Sequence, residues 1–131
     1  MLQDAILFDN KASSTAVNCF NESGTFSDGG YNLENANSCG FSGTSLINTN
    51  PQLLHLANNG GPTPSMALPR TSPAVDRIPS GVHSCGTTVW ADQVGVTRPY
   101  PGIFLGAPAC DVGAFEVGFP TLYLPMVLKN K

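Results

Sequence analysis

Charge is scarce in this chain. Charged residues make up 11% of 131 positions, the net charge is -3, and no lysine lies between Lys11 and Lys129. The basic groups in between are Arg70, Arg77 and Arg98, too sparse to track a phosphate backbone. With a pI near 5.0, this balance argues against nucleic acid or an anionic lipid surface as a partner. Long apolar runs are also missing. The most apolar stretch, "FPTLYLPMVLKNK", is interrupted at Pro120 and Pro125 and falls well short of the roughly 20 residues that span a bilayer. The start, "MLQDAILFDN", lacks the basic n-region and the apolar h-region of a secretory signal. If the protein is exported, this chain is therefore expected to be the end of something longer.

Several chemistries lack their motifs. No cysteine pair has C-x-x-C spacing and His55 and His83 are isolated, so neither a zinc ribbon nor a histidine metal site is expected. There is no G-x-S-x-G elbow for a serine nucleophile. The "NES" at Asn21 to Ser23 has the form of a glycosylation acceptor and is read as incidental.

Turn formers, in contrast, are plentiful. Gly occurs 14 times and Pro 11 times, so the backbone must turn often and the chain reads as all-β or irregular. Ten of the eleven asparagines fall in the first 59 positions, among the short apolar groups "AILFDN", "TAVNCFN", "YNLENAN" and "SLINTN". Each group is too short for an amphipathic helix and is punctuated by Asn, Gly or Ser, which predicts short strands joined by tight turns. Asn tolerates left-handed backbone angles, and its amide can bond to nearby main chain. Stacked coils of this kind would let asparagines pair from one coil to the next, as in a solenoid with a loose repeat.

From Pro51 the texture changes. Pro51, Pro62, Pro64, Pro69 and Pro73 forbid long regular elements, and Gly60 with Gly61 marks a sharp turn. Leu53, Leu54 and Leu56 are expected to cover the open end of a core. The expected organisation is therefore short coils over residues 1–50, a loop-rich capping region over 51–118, and a C-terminal extension over 119–131.

The four cysteines, Cys19, Cys39, Cys85 and Cys110, suggest an oxidising exterior. Of the three possible connectivities, pairing Cys19 with Cys39 and Cys85 with Cys110 joins the nearest neighbours in sequence and staples one loop each. Such a bridge contributes roughly 3 kcal/mol through the unfolded state.

Six stretches stand in a fixed order: "YNLENANSCGF", "NTNPQL", "LANNGGPTPSMAL", "SPAVD", "DQVGVTRP" and "CDVGAFE". In that order they closely resemble the C-terminal end of bacterial right-handed parallel β-helix surface proteins of the choice-of-anchor Q type, over roughly Tyr31 to Glu116. The resemblance implies an all-β fold made of the terminal coils of such a β-helix over residues 1–50 plus an irregular cap over 51–118, with "CDVGAFE" closing the cap and the tail, 119–131, in the anchor position. It further implies an extracellular or cell-surface location, upstream coils of a longer parent as partner, and an adhesive or surface-binding parent that engages surface glycans or a host surface. The chain departs from the family pattern at Arg77, where a small Ala-Gly turn is usual, and at Val94, where the family carries Arg. That second change removes one partner for the nearby acids and leaves Arg98 to pair with Asp92 or Asp111.

No catalytic residue and no cofactor is expected. Asp76, Asp92, Asp111 and Glu116 form the acidic group that a calcium ion would need, without the close Asp/Asn and Gly rhythm of a calcium loop. The competing reading is that these acids accept backbone N–H bonds or join a partly buried network with Arg77 and Arg98. Trp90 and Tyr100 flank "DQVGVTRP" and offer aromatic faces for a sugar, although such residues more often cover a core. The alternative function is thus a carbohydrate-active module, either a glycan binder or a polysaccharide lyase remnant.

Overall fold

A computed structural model describes residues 1–12, 15–21, 23–100 and 107–118. It contains six strands of two residues each: β1 Ile6–Leu7, β2 Lys11–Ala12, β3 Thr15–Ala16, β4 Leu33–Glu34, β5 Ile78–Pro79 and β6 Ala109–Cys110. Among the described residues there is no helix. The described chain is accordingly largely irregular with few, short strands, loosely in keeping with an all-β or irregular class and with its Gly and Pro content.

The N-terminal half is organised by parallel pairing. β1 lies parallel to β4 with Ile6 opposite Leu33, and Leu33 in turn forms a parallel bridge to Leu46. Three short rungs therefore run in the same direction, and Leu2 bridges Asp28 in the same sense. Residues with positive φ interrupt the rungs: Asp4 and Asp9 flank β1, Tyr31 precedes β4, and Asn48 follows Leu46. Asp and Asn accept this left-handed geometry more readily than most residues, which is why the strands stop after so few residues.

Amides and carboxylates then hold one rung to the next. The Asn32 Oδ1 accepts the Ala5 N–H at 3.1 Å and its Nδ2 donates to the Leu2 carbonyl at 2.9 Å. Asn18 donates to Asn35 Oδ1 at 3.0 Å, and Asn10 donates to Asn18. Glu34, fully buried, accepts the N–H groups of Ser38 and Cys39, the Ser38 hydroxyl and the Asn18 amide. Buried polar groups are tolerated only when satisfied in this way. Asp28 accepts from Gly30, Ser42, Ser45 and Asn32. Although burial acts upward on its carboxyl, the bonds from Ser42, Gly30, Ser45 and Asn32 outweigh it and hold the pKa below the ordinary value.

Both faces of the rungs are covered, because successive side chains point to opposite sides. Ile6, Leu33 and Leu46 pack into the main core with Leu68, Ile78 and Val112. Leu7 and Ile47 turn the other way, onto a smaller cluster of Cys19, Cys39 and Phe41. Each cluster carries one disulfide, Cys19–Cys39 in the smaller and Cys85–Cys110 in the larger. The two bridges join the nearest cysteines in sequence and are compatible with an oxidising exterior.

The leucines after Pro51 divide. Leu53 is half-buried against the main core, but Leu54 and Leu56 are 51% and 67% exposed, so only one of the three covers it. The others point outward because Leu54 lies in a loop whose N–H bonds across to Ala67 and which then pairs Ala57 with Ser65. Among the described residues no helix is long and apolar enough to cross a membrane. The segment assigned to a tail or anchor, 119–131, lies outside the described residues.

Candidate functional site

The stretch "CDVGAFE" is where the far parts of the chain meet. Cys110 belongs to β6, which pairs antiparallel with β5, and it carries the disulfide to Cys85. The next residues each engage a different segment. Val112 donates its N–H to the Ala74 carbonyl at 2.9 Å, and Gly113 donates to the Asp4 carbonyl at 3.0 Å. Gly113 has φ +93°, and a Cβ there would sit 3.1 Å from Ile6 Cδ1. Both the backbone angle and the close approach of the first rung therefore call for glycine.

The acids of this region are taken up by the main chain. Asp111 accepts the N–H of Asp76 at 2.8 Å on one oxygen and of Val117 at 2.7 Å on the other. Asp92 accepts from Val94 and Val96 on Oδ1, at 2.9 and 2.7 Å, and from Glu116 on Oδ2 at 2.7 Å. Glu116 accepts from Tyr100 and from Asp111, both at 3.1 Å. Asp92, Asp111 and Glu116 thus act as caps for irregular backbone that no regular ladder satisfies. Among the described residues no three His, Cys, Asp or Glu side chains converge as metal ligands would. A calcium ion at these oxygens would have to displace the N–H donors.

Arg98 supplies the compensating charge, with a different partner from either expected one. Its Nε lies 2.9 Å from Glu116 Oε2, an ion pair whose N–H is not aligned for a hydrogen bond. Its Nη1 and Nη2 donate to the Gly113 and Asp111 carbonyls. Arg98 reaches Asp111 through the main chain and leaves the Asp92 carboxylate to backbone donors. Arg77 is exposed.

Two buried carboxylates beside one guanidinium carry excess negative charge. Burial, and then the Asp111 charge, push the Glu116 carboxyl up to about 7, against the pull of the Asp111 N–H, Arg98 and the Tyr100 N–H. Asp111 is raised as well, chiefly by burial. Because the folded state holds the Glu116 proton more tightly than the unfolded chain, the linked stability is fully present below about 4.5 and is lost as pH rises through about 7. The melting temperature should accordingly fall between pH 5 and pH 8. Glu116→Gln should flatten that slope, whereas an unchanged slope in this variant would assign the titration to another group.

The two aromatic candidates differ in setting. Trp90 is 61% exposed, so it does not cover the core. Tyr100 is half-buried and its N–H is shared between Glu116 and the Ala109 carbonyl. Neither lines either of two surface cavities. One is largely apolar, built around Ile6, Leu53, Leu68 and Phe115, and the other is mixed, with Asp4, Ser84 and Arg98 beside Ile78 and Val89.

One pair was not legible in the sequence. His83 Nδ1 lies 2.7 Å from Asp4 Oδ1, and the edge of the ring pair formed with Tyr31 has its centroids 5.6 Å apart. Both Asp4 and His83 have positive φ, and only that unusual backbone offers a signal, which spacing does not carry. Compared with known protein families, with curated protein sequences and with solved structures, the chain has no match.

Proposed function

We propose that the chain is a non-catalytic terminal cap for a right-handed parallel β-helix in a secreted or surface-displayed protein, whose parent serves adhesion or surface binding. The observation that supports this most directly is the free side of β1. The Ala5 and Leu7 carbonyls accept from Leu33 and Asn35, so the alternation of a strand turns the Ile6 N–H and C=O to the opposite edge. No strand occupies that edge among the described residues. A preceding parallel coil would pair there, with its apolar residue above Ile6.

The third rung leads away from that edge into irregular chain. Pro51 is buried and its carbonyl accepts the Ser72 hydroxyl at 2.7 Å. A cap needs these two characters, because an unpaired edge invites association while a loop-covered end does not. The resemblance of the six ordered motifs supports the same role, and the residues 119–131 would then stand in the anchor position.

Fusing the chain behind the bare end of a soluble parallel β-helix tests this role. The fusion should be monomeric, and the Ile6 amide, fast to exchange with deuterium in the isolated monomer, should become protected. A fusion that aggregates like the bare helix, or an Ile6 amide already protected in the monomer, would count against capping.

A further inference from the structure

The cavity that holds Asp4, Ser84 and Arg98 has a volume of about 210 Å³ and shares only Arg98 with the network around Glu116. Gln3, Asp4, Ser84 and Arg98 form its polar walls, and Ile78 and Val89 its apolar ones. The ionic groups are already engaged. Asp4 Oδ1 holds His83, and Arg98 is bound to Glu116 and to two carbonyls. What remains for a ligand is hydrogen-bonding capacity without an uncommitted positive charge. The Gln3 amide, the Ser84 hydroxyl and Asp4 Oδ2 carry no hydrogen bond to another described residue.

The walls are also fixed in place. The Asp4 N–H donates to the Gly30 carbonyl at 3.2 Å and its carbonyl accepts from Gly113. Cys85, which also lines the cavity, is tied to Cys110. Val89 donates its N–H to the Ser84 carbonyl at 3.1 Å. A site held this rigidly loses little order on binding.

We propose that this cavity binds a single neutral sugar ring. Hydroxyl groups both donate and accept, which matches an amide, a hydroxyl and a carboxylate oxygen with no other partner. The apolar C–H face of the ring matches Val89, which is 41% exposed. The volume is below the roughly 300–1,000 Å³ of pockets for drug-sized ligands, so it suits one ring. An anionic sugar is disfavoured, because the Arg98 charge is committed to Glu116 while the Asp4 carboxylate faces the ligand. The site does not depend on the capping role.

Saturation-transfer NMR of the full chain with the methyl pyranosides of glucose, galactose and mannose, with N-acetylglucosamine, and with glucuronate as the anionic arm, provides the test. At least one neutral pyranoside should bind. Gln3→Leu and Ser84→Ala should each weaken it by roughly tenfold, about the loss of one good hydrogen bond, with unchanged melting. Trp90→Ala should bind as the parent does. Absence of binding by every neutral pyranoside, a stronger response from glucuronate, or binding lost in Trp90→Ala and retained in both other variants would each overturn the proposal.

Discussion

Replacing Arg98 by methionine is expected to lower folding stability by about 3–5 kcal/mol, the usual consequence of breaking a buried ion pair from one side. Glu116 is completely buried and Arg98 is 11% exposed, so water cannot take over the lost charge. The change also strands the Gly113 and Asp111 carbonyls that the guanidinium serves. The double variant Arg98→Met/Glu116→Leu should recover part of the loss, since an apolar pair of similar volume removes the stranded carboxylate along with its partner. Urea unfolding of the two variants checks this. The pH gives a second handle: because Glu116 becomes neutral as pH falls below about 7, Arg98→Met should cost less at pH 5 than at pH 8. Equal cost at both would mean that the carboxylate is not the group left uncompensated.

Removal of the Cys85–Cys110 bridge by paired alanine substitution is expected to cost about 3–4 kcal/mol from released chain entropy alone, for a sequence separation of 25. The Cys19–Cys39 bridge, with a separation of 20, should be nearly equal in that respect. What separates them is packing. Cys85 and Cys110 are 4% and 0% exposed within the main core, whereas Cys19 is 9% exposed beside a smaller cluster, and each buried sulfur removed leaves a void. The first pair of substitutions should therefore shift the denaturant midpoint further. A larger shift from the second pair would place the stabilising weight in the N-terminal cluster.

The features legible in the sequence are those decided by neighbours along the chain. Asn, Asp and Gly favour turns, so short strands and the lack of helix among the described residues could be read from "YNLENAN" and "SLINTN" directly. The acids of "CDVGAFE" and "DQVGVTRP" could likewise be read as caps, because Asp92 bonds to N–H groups two and four residues on. Partners across the chain were not legible. Which acid meets Arg98 depends on how the 92–98 hairpin is laid against 110–117, and no repeat period sets that placement. Asp4 and His83 meet for the same reason without any local sign. Burial of Glu34 was equally hidden, since a glutamate among asparagines reads as surface until the Ser38 and Cys39 N–H groups are seen to enclose it. The outward turn of Leu54 and Leu56 shows the converse: apolar character does not specify direction where prolines prevent a regular period.

Gly113 bonds to Asp4 and packs its backbone on Ile6, which has a consequence for synthesis. The first rung obtains its closing contact from one of the last described residues to leave the ribosome. Chain emerging N-terminus first cannot complete its main core until that segment follows, and the second disulfide waits on the same event. The nascent protein therefore stays unlocked until the segment from Cys110 to Gly113 arrives and fastens the main core from that side.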